Sequence, residues 1–179
     1  VPGDITVNTR TLNITNGGAL AVTRLDVSLG DGNPATGHPN SPTTGDVIVD
    51  GLGSSVTLSG FISSNGAIPG GNIGSLGGTG TLTVRNGATM GMNASGAPNG
   101  PVFNVGFNGG TGTVNFQSGA VVTMDGSAAS SLLTGGGPLF VVGSNGGNGQ
   151  MNITGASTSL SITAHPRGGG MNIGAGTPG

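Results

Sequence analysis

The chain has 179 residues, 41 of them Gly, and its ten charged residues, all Arg or Asp, leave a net charge of −2. With no Cys there is no disulfide, thiol nucleophile or thiolate metal site, and four scattered Arg give neither a footprint for nucleic acid nor a basic helix for a membrane surface. Apolar runs of only a handful of residues exclude a membrane span, and Gly neither recurs at every third position, as collagen requires, nor permits a sustained helical period.

The hydrophobic residues, 33% of the chain, fall in short alternating strings, which is strand spacing. Ile5 and Val7 open the chain on a short strand. Leu12 and Ile14 then begin a pattern that returns as Val47 and Val49, Leu82 and Val84, Val114 and Phe116, and Met151 and Ile153, at spacings of 35, 35, 32 and 37 residues. Residues two apart in a strand share a face, so these pairs predict one buried column of a repeated strand. Another strand follows each pair in one of two registers. After Gly17, Gly87 and Gly119 the next apolar pair comes at +6 and +8 from the anchor; after Gly51 and Gly155 it comes at +7 and +9. Eleven residues before Val84, Phe116 and Ile153 stand Ile73, Val105 and Val142, each followed by Gly, which predicts a preceding strand and one fixed turn. The Gly- and Pro-rich stretches 30–45, 93–101, 125–138 and 164–170 read as loops leaving one corner of the coil.

Three strands per repeat, none able to bury its own apolar face, predict an all-β fold. It is expected to be a right-handed parallel β-helix or β-solenoid with about 32–37 residues per repeat, forming one domain over residues 1–179. Repeat cores lie near 10–25, 46–60, 72–92, 104–124 and 141–163, with a partial repeat at 171–179. One coil per repeat would make a rod of about 24 Å, and two coils would double that.

The strings LNITNGGALAV, VIVDGLGSSVTL, GGTGTLTVRNGATM and MNITGASTSLSI resemble the repeat shared by type V-secreted autotransporter passengers and by exosortase-sorted (PEP-CTERM) bacterial surface proteins. The resemblance covers the five repeat cores. It implies an exported bacterial solenoid of surface, adhesive or matrix type and carries no catalytic residues, because the shared motif is a folding motif.

Few side chains offer chemistry. The position after each anchor should face outward, which sets Asp50 beside Arg85 as a stacked ion pair, and the position before it holds Asn13, Asn115 and Asn152, a partial amide ladder. Asp26, Asp31 and Asn33 form a weak calcium candidate, short of the ligand count that such a site needs. Asp46 and Asp50 are the nearest thing to a carboxylate pair for glycoside cleavage. His38 and His165 each precede Pro and read as loop residues. No catalytic residue, metal or cofactor is expected.

The ends suggest a different activity. Met171 and Ile173 repeat the start of a coil, whereas Leu12 and Ile14 supply a later part, with Ile5 and Val7 at the wrong offset to begin one. Either the chain was cut from a longer array, or these six residues join copies head to tail in an open filament. Val1 in place of Met, and no visible signal peptide, predict a mature or excised segment. The sequence therefore points to a non-enzymatic extracellular or cell-surface fibre or matrix protein partnered by copies of itself. The alternatives are a stalk that binds glycan or a host surface and, behind it, a polysaccharide-cleaving enzyme.

Overall fold

A computed structural model of the chain describes residues 3–30, 43–59, 70–94, 99–127, 137–165 and 168–175. These form a three-sided parallel β-helix. Its first rung is β1 (Asp4–Val7), β2 (Thr11–Thr15) and β3 (Ala19–Val22), and its second is β4 (Arg24–Leu29), β5 (Thr44–Asp50) and β6 (Ser55–Ser59). The third is β7 (Gly70–Ser75), β8 (Thr79–Arg85) and β9 (Thr89–Asn93), and the fourth β10 (Val102–Phe107), β11 (Thr111–Gln117) and β12 (Val121–Asp125). The fifth is β13 (Leu139–Ser144), β14 (Asn148–Thr154) and β15 (Ser159–Thr163), after which β16 (Gly170–Ala175) opens a sixth. Sheet A stacks β1-β4-β7-β10-β13-β16, sheet B runs from β2 through β5, β8 and β11 to β14, and sheet C from β3 through β6, β9 and β12 to β15.

Each sequence repeat makes one rung. The apolar pairs stack in the anticipated register, with Ile14 beside Val49, then Val84, Phe116 and Ile153 in sheet B. Leu20, Val56, Met90, Val122 and Leu160 do the same in sheet C. Inside, Phe103 and Phe140 lie 5.3 Å apart at a tilt, and Phe116 meets Phe140 edge-on at 6.5 Å, a geometry that suits the aromatic quadrupole. Gly71 leaves a gap in the same sheet A column directly beside Phe103.

Two expectations need correction. Ile5 and Val7 are not out of place: β1 pairs with β4, so Val7 stacks on Val27 and then Ile73, and the first rung has its own first strand. The offset differs because the corner from β1 to β2 is short, and Asn8 compensates by receiving the Leu29 N–H on its Oδ1 at 2.8 Å. Nor do the loops leave from one corner. The stretch 30–45 falls between β4 and β5, at the A-to-B corner, whereas 93–101, 125–138 and 164–170 fall between sheets C and A.

The A-to-B corner accounts for much of the glycine. Gly74, Gly106, Gly143 and Gly174, which follow the first strand, all have φ between 64° and 70°, a region that costs other residues about 1–2 kcal/mol. Five positions or so later, Gly45, Gly80, Gly112 and Gly149 form an inward column on sheet B. A Cβ on Gly112 would lie 2.0 Å from the Ile73 carbonyl oxygen of the preceding rung, and one on Gly149 2.2 Å from that of Val105.

The two registers at the B-to-C corner have a hydrogen-bonding cause. In the shorter form, Asn16-Gly17 and Asn86-Gly87 both have positive φ, and the N–H of Gly18 or Ala88 returns to the carbonyl of Thr15 or Arg85. The longer form adds one residue and recruits a hydroxyl. Ser54 Oγ donates to the Asp50 carbonyl at 2.7 Å and accepts the Gly17 N–H of the rung before it at 3.1 Å. Thr158 Oγ1 repeats this with the Thr154 carbonyl at 2.8 Å and the Gly119 N–H at 2.9 Å. The extra residue shifts the following strand by one, and the hydroxyl satisfies the backbone donor that the shift exposes.

Two stability measurements follow. Replacing Ser54 by Ala should lower unfolding free energy by about 1–2 kcal/mol in a denaturant titration, because a buried donor and acceptor lose their bridge. Gly112→Ala should cost about 3 kcal/mol or more, the upper end of overpacking. Gly109→Ala should cost only the αL strain of about 1–2 kcal/mol, since no atom stands within 4 Å of its would-be Cβ.

Candidate functional site

The outward side chains of sheet B carry the anticipated ion pair. Arg85 donates from Nη2 and Nε to Asp50 Oδ2 at 2.8 and 3.0 Å, and Asn86 Nδ2 donates to Asp50 Oδ1 at 2.8 Å. The Arg85 hydrogen bond, followed by that of Asn86, holds the Asp50 carboxyl below its ordinary value. Alongside runs a short ladder in which Asn152 Nδ2 donates to Asn115 Oδ1 at 2.8 Å and Asn115 Nδ2 to Thr83 Oγ1 at 3.4 Å. Asn13 is separated from it, because its neighbour in the column is Ile48, which offers no hydrogen bond.

A second polar row lies on sheet A, where sequence reasoning did not look. Asn104 Nδ2 donates to Asn72 Oδ1 at 2.9 Å, and Asn72 donates from Nδ2 and its backbone N to Asp26 Oδ1 at 2.8 and 3.1 Å. Arg24 Nε closes the row on Asp26 Oδ2 at 2.9 Å. The signal was hidden because Asp26 and Asn72 are 46 residues apart, with β5, β6 and a loop between them. Arg24, Asn72, Val102 and Asn104 line a shallow cavity of about 170 Å³ beside this row.

This row answers the calcium expectation at Asp26. Its carboxylate is only 6% exposed and already accepts bonds from Arg24 and Asn72, so it has no oxygen presented to a cation in solvent. Asp31, Asn33 and His38 lie outside the described residues. Among the described residues no three His, Cys, Asp or Glu come together as a metal site. His165 sits in an isolated antiparallel bridge with Gly168. Asp46 and Asp50, four residues apart on one strand, are separated by about 13 Å along it. Carboxyl pairs that flank a glycosidic bond stand only about 5–9.5 Å apart. Asp125 is held below its ordinary carboxylate value by the hydroxyl and N–H of Ser127, not by a second acid.

The two ends differ. Val7, Ile14 and Val22 in the first rung are 7–8% exposed, whereas Ile153, Met171 and Ile173 at the far end are 43%, 43% and 69% exposed. Ile5 and Leu12 are half-buried. Among the described residues no helix is long and apolar enough to cross a membrane. Comparison with protein-family models, curated proteins and solved structures gives no match.

Asp50 gives a pH test. Its folded pKa is lowered, so its contribution is full above the ordinary carboxylate value of about 3.9 and is lost as pH falls through the folded value. Asp50→Asn should lower Tm at neutral pH, and melting curves taken below about pH 4 should bring wild type and variant together.

Proposed function

We propose that this chain is a non-catalytic structural solenoid, a stiff segment of an exported surface or matrix protein. The observation that carries the reading is an apolar core continuous over all five rungs, wrapped by faces whose polar groups are engaged with one another. Asp50 is held by Arg85 and Asn86, and Asp26 by Arg24 and Asn72, so the acids serve stacking. Stacked rungs of this kind make stability a sum of neighbour contacts along an axis, which suits a rod. The repeat's resemblance to autotransporter passengers and sorted surface proteins supports export, as does the freedom from Cys.

Joining copies head to tail by completing a coil loses its original basis. The first rung already holds β1 in sheet A, so β16 of another copy has no vacant strand position to fill there. Extension of the rod therefore has to come through the open far end.

A panel of polysaccharides incubated with the protein should release no reducing ends above buffer. Cleavage that disappears in Asp46→Asn or Asp50→Asn would overturn the non-catalytic reading.

A second reading, an adhesive stalk, is favoured by the row on sheet A. A guanidinium and two amides along a shallow cavity suit the paired hydroxyls of a sugar. On a glycan array that reading expects retention that falls in Arg24→Ala and Asn104→Ala; retention unchanged in both would remove it.

A further inference from the structure

The rungs meet through a contact that repeats along the rod, and the same contact is half-formed at one end. In each of rungs two to five, a sheet B glycine sits against a sheet A carbonyl of the rung before it: Gly45 on Val7, Gly80 on Val27, Gly112 on Ile73 and Gly149 on Val105. A Cβ at any of the four would stand 2.0–2.4 Å from that oxygen. Just before this glycine, Gly110 and Gly147 press on the corner of the rung before, with would-be Cβ atoms 2.6 and 2.4 Å from backbone atoms of Gly74 and Gly106. The seat therefore admits a Gly-x-Gly corner and rejects side chains at both glycine positions.

The next carbonyl in this series belongs to Val142. Around it lies an open cavity of about 370 Å³, lined by Val142, Gly143, Ser144, Gly147, Gly149 and Ile173 among others. Sheet A already extends over it with β16, while β14 and β15 are the last strands of sheets B and C among the described residues. Rung six thus has its first strand and lacks its corner, second strand and third strand. Exposure of Ile153, Met171 and Ile173 marks the same place.

The opposite end does not match this seat. Arg10 occupies the glycine column in the first rung, since the Asp46 N–H bonds its carbonyl at 3.0 Å in line with Gly45. The corner before it is shortened and holds Thr9 at φ 56°. A carbonyl seated as in the other rungs would run into the Arg10 Cβ.

We propose that the far end of the solenoid is an acceptor site for strand addition, whose partner is a solenoid segment of another polypeptide carrying a Gly-Gly-x-Gly corner followed by two alternating strands. Main-chain bonds to β14 and β15 provide affinity, and the glycine seat provides specificity. The first rung of a second copy is refused by Arg10. This inference rests on the structural reading for its purpose but on the rung contacts alone for its chemistry. Its failure would leave the polysaccharide assay, and hence that reading, untouched.

The test uses the full chain and a fluorescent synthetic peptide with the sequence of residues 108–124, which supplies a corner and two strands. Saturable binding is expected, together with slowed amide exchange in 148–154 and 159–163. The same peptide with Gly110→Val and Gly112→Val should bind at least about tenfold more weakly, about 1.4 kcal/mol. Equal binding of the two peptides, or no added protection of those strands, would overturn the proposal. Sedimentation of the protein alone should show a single species across concentrations, and chains growing end to end would overturn the assignment of Arg10 as a block.

Discussion

The close approach of a sheet B glycine to the sheet A carbonyl of the preceding rung is the constraint on which the rest of this molecule depends. Parallel strands stack about 4.8 Å apart wherever they pair, but a solenoid must keep that spacing around its corners as well. At the A-to-B corner the backbone of one rung rests on the backbone of another with no room for a Cβ at Gly80, Gly112 or Gly149. Because that corner closes, the apolar columns on all three sheets stay in register, and Val, Ile, Leu, Met and Phe pack in continuous files. A side chain at those glycines would separate the rungs and misalign every file at once.

The other corners show how the chain tolerates variation without losing the stack. At the B-to-C corner an inserted residue is accommodated by one hydroxyl, from Ser54 or Thr158, which bridges two rungs. At the C-to-A corner the connection ranges from Thr23 alone, between β3 and β4, to a long stretch between β12 and β13. Length is free where no backbone rests on backbone, and fixed where it does. The same logic divides the two ends: one carries Arg10 in the glycine column, and the other presents glycines and exposed core residues.

Much of the fold was legible in the chain itself. The paired columns, the two registers and the glycine corners were readable because stacking forces the same residue types to recur at nearly fixed intervals. The place of β1 was misread, since its shortened corner breaks the eleven-residue offset and only pairing with β4 reveals it. The candidate sites were harder to read. Asp50 and Arg85 could be matched because both follow an anchor residue. The row of Asp26, Asn72 and Asn104 could not, because a long insertion before β5 removes Asp26 from the common offset, so no spacing ties it to Asn72.

By itself, the sequence determined that this protein would be a stack of three-stranded parallel rungs, because a period of glycine turns and alternating apolar pairs has few other ways to bury its core. Only the tertiary structure decided that each repeat is one rung, that Asp26 is closed off by Arg24 and Asn72, and that the two ends are unlike. Those outcomes depend on which backbone atoms come within contact distance across rungs. Sequence spacing records the columns, but the clearance between one rung's glycine and another's carbonyl exists only once the chain has wound round and met itself.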